Sequence, residues 1–413
     1  MALPPRAAYH VCSPFTTESS MIPNRASSQQ PSADPALAER VDAVLSRQLE
    51  LQRLVGVVVL VARDGELVYR RAAGFADREA RTPMQEDTLF RLASVTKPIV
   101  SAAAMALVAQ RKLSLDDDVT RWLPEFRPAL RDGSVPVIKV RHLLTHTAGL
   151  GYRYAEPDAT CAYARAGVSD GLDGASITLA ENMRRIASVP LQYAPGTGWN
   201  YSLSIDVVGA VIEAASGLPL ADAVDALVLR PLGTRDTGFV ARDAARLATP
   251  YVNDTPQPHR LAENEVVPIY EGSVGVTYSP SRALNADAFA SGGAGMVGTA
   301  GDVLNVLDTL RAGGGTILPA ELVDEMGRIH TDNLELPDLP GAGYGIGFSV
   351  LRDPRAALSP ESPGTWRWGG VYGHSWFVDR ARGLTVVSLS NTLYEGMNGP
   401  YTLDLRDAIY GVG

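Results

Sequence analysis

A serine and a lysine three positions apart, Ser94 and Lys97, are the residues of this chain best suited to nucleophilic catalysis. On a helix this spacing places both side chains on one face. A serine hydroxyl is a weak nucleophile until a base takes its proton, and a neighbouring amine can do so when its surroundings favour the neutral form. The other two lysines, Lys112 and Lys139, do not follow a serine by three positions. A serine that merely caps a surface helix would give the same pattern.

The residues after Ser94 predict an apolar helix over about 95–111 that would position the pair. Pro98 falls in its first turn, where the missing N–H costs little. The positive end of the helix dipole then lies at Ser94, where it favours an alkoxide and disfavours a protonated Lys97. Both effects favour Ser94 as nucleophile and Lys97 as base.

Two distant segments carry groups that could complete the site. Tyr201 precedes a helix predicted over residues 203–216, where a phenol can reach a cleft and act as a base if cations lower its pKa. Trp368, Gly369, Gly370 and Val371 continue a strand pattern, and two glycines in a strand indicate close approach to the backbone. A substrate carbonyl that accepts hydrogen bonds from strand N–H groups would fit there.

The rest of the pattern predicts strands at both ends of the chain and helices between them. A helix over residues 36–53 precedes two β-rich runs joined at Asp64-Gly65, which predict a hairpin. Strand patterns return after about residue 343, and a last helix covers residues 399–411.

This order predicts an α/β (α+β) fold with an antiparallel sheet flanked by helices. Residues 36–114 and 335–413 would form the sheet domain, and residues 115–334 a mainly helical inserted domain. Residues 1–35 are rich in Pro, Ser and Ala, lack the apolar stretch of a secretory signal, and predict a disordered leader. We therefore expect a cytoplasmic location.

Composition excludes several classes of function. The net charge of −9 argues against nucleic acid and anionic membrane surfaces as partners. A hydrophobic fraction of 46% is typical of a globular enzyme, and no apolar run approaches the roughly 18 residues that span a bilayer. Two cysteines, Cys12 and Cys161, do not make a disulfide framework.

Five motifs in order resemble those of the serine penicillin-recognising superfamily, which includes class C β-lactamases and D-alanyl-D-alanine carboxypeptidases. Within it, the Trp-Gly-Gly form is similar to the family VIII carboxylesterases, or β-lactamase-like esterases. The motifs are FRLASVTKP, HLLTHTAGLGY, PGTGWNYSL, SGGAGM and WGGVYGHSWFVD. The resemblance covers the chain from about residue 40 to near its end and implies a class C β-lactamase-like fold.

The resemblance also implies roles. Ser94 would be the acylated nucleophile, and Lys97 and Tyr201 would share the proton transfer, with the formal base left open between them. The backbone N–H groups of Ser94 and Val371 would form the oxyanion hole. The residues expected to bind substrate are Tyr152, Trp368, Gly369, Gly370 and His374.

Four further role assignments leave an alternative open. Tyr152 would line the cleft and Trp368 would cover the alcohol or acyl group, although aromatic residues near loops often only pack. His374 would polarise the site or only hydrogen-bond within the sheet. Asp206 would orient the base network, or be a solvated aspartate at a helix start.

Two departures from the lactamase pattern concern substrate class. This chain has Trp368-Gly369-Gly370 where lactamases and peptidases have Lys-Thr-Gly, or His-Thr-Gly. It has Tyr201-Ser202-Leu203 where they have Tyr-x-Asn. The missing lysine would hold a carboxylate and the missing asparagine an amide. We therefore expect a neutral, partly apolar ester as the small-molecule substrate, and the family resemblance implies short acyl chains.

The expected reaction needs no cofactor and no metal. The alternatives are acyl transfer to an alcohol or amine through the same acyl-enzyme, weak β-lactamase or D-amino peptidase activity, and a non-catalytic binding protein on this fold. The sequence does not predict an oligomeric state.

Three competing motifs are weak. Ser169 lies in a Gly-x-Ser-x-Gly sequence, but polar, Gly-rich flanks replace the buried strand that a nucleophile elbow requires. Residues 293–298 match G-x-G-x-x-G without a preceding strand. His142 and His146 have helical spacing but lack the glutamate of H-E-x-x-H, which favours a structural role.

Overall fold

The computed structural model describes residues 35–412, except residues 157, 159, 332, 333, 335, 337 and 338. All described residues belong to one compact unit, residues 31–413. The predicted leader lies outside the described residues apart from Pro35, and the boundaries of the inserted domain stay a prediction.

The helices and strands follow the predicted order at both ends of the chain, whereas the region between, predicted to be mainly helical, also contains five short strands among its described residues. The helices are α1 (Pro35–Glu50), α2 (Thr96–Ala109), α3 (Val140–Leu144), α4 (Ala162–Arg165), α5 (Leu179–Ala187), α6 (Ser204–Ser216), α7 (Leu220–Val224), α8 (Ala300–Arg311), α9 (Ala320–Gly327), α10 (Glu395–Asn398) and α11 (Pro400–Tyr410). The strands are β1 (Gly56–Arg63), β2 (Glu66–Asp77), β3 (Thr82–Pro83), β4 (Phe90–Arg91), β5 (Tyr251–Val252), β6 (His259–Arg260), β7 (Glu265–Val267), β8 (Val276–Tyr278), β9 (Val297–Gly298), β10 (Ala342–Tyr344), β11 (Ser349–Leu351), β12 (Trp366–Gly370), β13 (His374–Asp379) and β14 (Leu384–Ser390).

An eight-stranded antiparallel sheet forms the frame, in the order β10-β11-β12-β13-β14-β1-β2-β3. The first strand, β1, pairs with β2 on one side and with the last strand, β14, on the other, with Val57 opposite Ser390 and Arg63 opposite Leu384. The antiparallel sheet with flanking helices predicted from the sequence is confirmed.

Both faces of the sheet are covered, which explains why β1 is apolar along its length. Val57, Val59 and Val61 pack in one core with α1 and α11, and Val58 and Leu60 pack in the other, larger core. Because successive strand residues point to opposite faces, a strand buried on both sides reads as a continuous apolar run.

The larger core joins the sheet to the helices that carry the candidate site. Helix α2 is buried along all but its last turn and packs against α6, which begins three residues after Tyr201. Gly217, in the left-handed conformation, ends α6, which was predicted over residues 203–216. The short pair β4–β9 fastens the segment before Ser94 to the segment after Gly293, with Phe90 opposite Gly298.

No single helix among the described residues has the length and apolarity to span a membrane, and only a bent pair, Ser204–Ser216 with Leu220–Leu232, meets that test when its two parts are taken together.

Candidate active site

Ser94 lies in a sharp turn between strand β4 and helix α2. Residues Ala93–Val95 form one 3-10 turn, and α2 begins at Thr96, two residues later than Ser94. Ala93 has a φ of 44°, in the left-handed region that a residue with a side chain seldom adopts. The Leu92 N–H donates to the carbonyl of Met296 at 2.8 Å. The turn is thus both strained and anchored, which is typical of a functional position.

The three residues predicted to be catalytic are brought together. Lys97 Nζ donates to Ser94 Oγ at 3.0 Å, and the Tyr201 hydroxyl donates to the same oxygen at 2.7 Å. Lys97 is fully buried, and its Nζ also donates to the Gly293 carbonyl at 2.8 Å. The amine lies 4.6 Å from the centre of the Tyr201 ring. Either group can therefore exchange a proton with Ser94 without moving far.

Trp368 contacts Tyr201 directly. Its indole Nε1–H donates to the Tyr201 hydroxyl at 3.2 Å, and the two ring centres are 5.0 Å apart. A hydrogen bond donated to the phenol oxygen favours negative charge there. Trp368 therefore supplies a neutral donor at the place where the lactamase pattern has a cation, and its predicted contact with the alcohol or acyl group stays a prediction.

The two predicted oxyanion amides, those of Ser94 and Val371, donate to no acceptor among the described residues. The peptide that carries the Val371 N–H is held from both sides. Gly373 N–H donates to the Gly370 carbonyl at 2.9 Å, and Tyr394 N–H donates to the Val371 carbonyl at 3.1 Å. Free, fixed N–H groups are what a developing oxyanion requires.

The strand glycines allow close packing within the protein. A side chain at Gly370 would lie 2.6 Å from the carbonyl oxygen of Leu92 and 3.4 Å from Val95. A side chain at Gly369 would lie 2.6 Å from the carbonyl oxygen of His374. The groups that approach these glycines closely therefore belong to the protein itself. At Gly370 this contact packs β12 against the turn that carries Ser94.

Tyr152 and His374 do not face an open cleft. Tyr152 is 3% exposed and stacks on Tyr154, with Lys97 Nζ 5.7 Å from its ring centre. His374 is fully buried, donates from Nε2 to the Arg91 carbonyl at 2.8 Å, and has its pKa lowered to about 4 by burial. His374 thus joins β13 of the eight-stranded sheet to β4 of the separate β4–β9 pair, rather than bonding within one sheet, and its expected contact with substrate stays a prediction.

Asp206 is fully buried, which corrects the interpretation of a solvated residue at a helix start. Its Oδ1 accepts a hydrogen bond from Ser291 Oγ at 2.5 Å. Burial raises the pKa of Asp206, while the Ser291 hydrogen bond and the charge of Lys97 oppose that shift. The carboxyl group therefore interacts electrostatically with Lys97 from the first turn of α6.

A protein-family model described as Beta-lactamase matches residues 41–410. The chain belongs to the beta-lactamase family. Within this family, Esterase EstB of Burkholderia gladioli is 55% identical over 376 residues, which cover 91% of this chain and 95% of that protein. The resemblance to β-lactamase-like esterases is confirmed.

Two solved structures have a fold similar to that of this chain. EstCE1, described as a hydrolase with promiscuous acyltransferase activity, matches with a TM-score of 0.89 at 46% identity, over 92% of this chain and 99% of its own. Unliganded simvastatin synthase (LovD) from Aspergillus terreus matches with a TM-score of 0.71 over 91% of this chain and 98% of its own. At 22% identity the second match supports the beta-lactamase family fold alone.

The competing motifs at Ser169 and at His142 and His146 lack the arrangement that their alternative functions require. Ser169 is buried in the loop between α4 and α5, and its hydroxyl donates to Asp173 at 2.6 Å. His142 lies on α3, but His146 lies beyond its end, so the helical spacing of the two is lost. No group of three or more His, Cys, Asp or Glu side chains suited to a metal ion occurs in the described part of the chain.

Two main-chain groups at the site were not predicted: the carbonyl of Gly293, which accepts from Lys97, and the N–H of Tyr394, which fixes the Val371 carbonyl. Tyr394 has a φ of 64°, a further strained position at the site. Main-chain groups leave no signature of their type in a sequence. Only the SGGAGM motif indicated that residue 293 was close to the cleft.

We expect Asp206→Asn to lower kcat/KM about tenfold, because an amide can keep the Ser291 hydrogen bond but not the negative charge beside Lys97. The measurement is steady-state ester hydrolysis, with thermal unfolding to verify folding. Asp173→Asn is the matched control, since Asp173 is also buried and bonded to a serine, Ser169. Equal activity of the two variants would show that the charge of Asp206 has no part in the reaction.

Proposed function

We propose that this chain is a serine carboxylesterase that hydrolyses short-chain, neutral carboxylic esters through an acyl-enzyme on Ser94. The observation that carries the proposal is the contact of Ser94 Oγ with both Lys97 Nζ, at 3.0 Å, and the Tyr201 hydroxyl, at 2.7 Å. A serine held between two proton-transfer groups at the positive end of a helix is arranged for nucleophilic attack.

In the first half of the reaction, Ser94 Oγ attacks the ester carbonyl as its proton passes to Lys97 or Tyr201. The carbonyl oxygen takes up the electron pair and accepts hydrogen bonds from the N–H groups of Ser94 and Val371. Collapse of this intermediate breaks the bond to the alkoxy oxygen, which leaves as the alcohol after receiving the same proton.

In the second half, water attacks the acyl-enzyme and gives its proton to the same pair of groups. The carboxylic acid leaves as Ser94 recovers its hydrogen. The Trp368 N–H, which donates to the Tyr201 oxygen, stabilises that oxygen whenever it carries negative charge.

A neutral substrate is supported by what replaces the lactamase residues. The indole of Trp368 carries no charge to hold a carboxylate. Ser202 is 1% exposed and its hydroxyl bonds to Ser204 and His146, while Leu203 is fully buried. Neither Ser202 nor Leu203 therefore has a side chain available to hold an amide. Esterase EstB, 55% identical, supports the same reaction class.

We expect kcat/KM on p-nitrophenyl butyrate to exceed that on nitrocefin at least about 100-fold, because the carboxylate of the lactam finds no cation. Both substrates are assayed with native protein at one concentration, with Ser94→Ala as the blank. Equal efficiencies on the two substrates would refute the proposed substrate class.

Acyl transfer is the second candidate, because EstCE1, 46% identical, is described as a hydrolase with promiscuous acyltransferase activity. It uses the same acyl-enzyme, with an alcohol or amine as acceptor in place of water. Product analysis of p-nitrophenyl butyrate turnover in added methanol separates the two. Butyrate alone supports hydrolysis, and methyl butyrate as the main product supports transfer.

A further inference from the structure

We propose that His146 is a positioning residue that fixes Tyr201 for proton exchange with Ser94, and that it acts as a neutral imidazole protonated on Nε2. This inference rests on the function proposed above. It assigns a role to the second histidine of the HLLTH sequence, for which spacing alone indicated only a structural role.

His146 holds the main chain on both sides of Tyr201. The N–H of Asn200 donates to the His146 carbonyl at 3.1 Å, and the N–H of Ser202 donates to His146 Nδ1 at 3.2 Å. The hydroxyl of Ser202 lies 3.0 Å from the same nitrogen. His146 therefore binds the main-chain N–H groups of the residues before and after Tyr201, which restrains the direction of the phenol.

The imidazole also forms one wall of the Tyr201 ring. The two ring centres are 4.8 Å apart, and Tyr344 packs on the imidazole at 5.2 Å. Tyr152 contacts the Tyr201 ring as well, with centres 5.3 Å apart. Since His146 and Tyr344 are fully buried, little space is left for the Tyr201 ring to turn.

The protonation state follows from the contacts. Burial and the charge of Lys97 lower the pKa of His146 well below its usual value, so the imidazole is neutral. Because Nδ1 accepts from a backbone N–H, the single ring proton lies on Nε2. Protonation of Nδ1 would replace this acceptor by a donor and release Ser202.

The arrangement has two structural costs. His146 has a φ of 56°, in the left-handed region, and its buried Nε2 has no hydrogen-bond partner among the described residues. A residue chosen for packing alone would need neither. Both costs are explained if the carbonyl and Nδ1 of His146 must reach the N–H groups of Asn200 and Ser202.

The test compares substitutions that keep or remove the Nδ1 acceptor. His146→Asn places an amide oxygen near Nδ1 and tolerates the left-handed backbone, whereas His146→Leu removes the acceptor. We expect His146→Leu to lower kcat on p-nitrophenyl butyrate about 10- to 100-fold, with KM within about twofold, and His146→Asn to stay within about threefold of native. His142→Asn, on the same motif but away from Tyr201, should match native protein.

A double-mutant cycle separates positioning from general packing. In a Tyr201→Phe background, His146→Leu should cause less than about a twofold further loss per folded molecule, because its effect passes through the phenol. A loss that is undiminished in that background would overturn the proposal. If His146→Leu does not fold, His146→Gln serves in its place, since its amide oxygen cannot occupy the Nδ1 position. Equal activity of His146→Gln and His146→Asn would also overturn it.

Native protein and His146→Leu can also be compared without ester turnover. The measurement is the rate at which an alkyl p-nitrophenyl phosphonate labels Ser94. If the native chain is labelled but does not hydrolyse p-nitrophenyl butyrate, the proposed substrate class fails while the His146 comparison still stands. Labelling rates that are equal for native protein and His146→Leu would overturn the positioning role.

Discussion

Ser94→Ala is expected to reduce p-nitrophenyl butyrate hydrolysis about 10⁴- to 10⁶-fold, the loss typical of removing a serine nucleophile. The hydroxyl is the shared hydrogen-bond partner of Lys97 and Tyr201, at 3.0 and 2.7 Å. Without it no acyl-enzyme forms, and only the weak assistance of the oxyanion amides is left to a water molecule. Because Ser94 is buried, thermal unfolding should verify that the variant is folded.

The measurement is initial rate at equal protein concentration, combined with mass spectrometry of protein treated with a phosphonate. Native protein should gain one adduct at Ser94, and the variant none. Ser169→Ala is the matched serine control, since its hydroxyl is buried against Asp173. It should keep near-native turnover and lose about 1 kcal/mol of unfolding free energy. Full activity of Ser94→Ala would place the nucleophile elsewhere and make Ser169 the next candidate.

Lys97→Met is expected to lower kcat/KM about 10³-fold, within the range for loss of a general acid–base group. Methionine matches lysine in length and is apolar, so the buried position stays filled. What is lost is the amine that donates to Ser94 Oγ and to the Gly293 carbonyl. Because the proton must move in both half-reactions, acylation and deacylation should slow together.

Stopped-flow measurement of the p-nitrophenol burst separates the two half-reactions. Lys112→Met is the matched control, because Lys112 is exposed and far from the serine in sequence. It should leave both rates unchanged. A Lys97→Met variant that keeps more than about a tenth of native acylation would assign the proton transfer to Tyr201 alone.

Features set by local pattern could be predicted from the sequence. The Asp64-Gly65 turn and the helix over residues 203–216 each depend on neighbouring residues, and the structure has both within one residue of the predicted positions. The start of α2 was predicted one residue early, because nothing local indicates that Ala93–Val95 forms a separate tight turn. Ser94 and Lys97 could be predicted as candidates because they share the short motif FRLASVTKP, and Tyr201 because it lies in the motif PGTGWNYSL.

Features set by distant contacts could not be predicted. The burial of Asp206 depends on Ser291, which lies 85 residues further along the chain. The enclosure of His374 depends on Arg91, whose carbonyl it binds from 283 residues away. An isolated aspartate at a helix start or histidine in a strand gives no sign of such partners. The expected cytoplasmic location also stays a prediction, because no feature of the site bears on it.

The pairing of the first strand with the last has a consequence for synthesis on the ribosome. Strand β1 emerges roughly 320 residues before β14, the partner that covers one of its edges, and before α11, which covers one of its faces. For most of translation an apolar strand therefore has an open edge able to pair with other chains. The nascent protein is therefore exposed to aggregation during this interval. A message truncated near its 3′ end would yield an aggregating product rather than a weakly active enzyme.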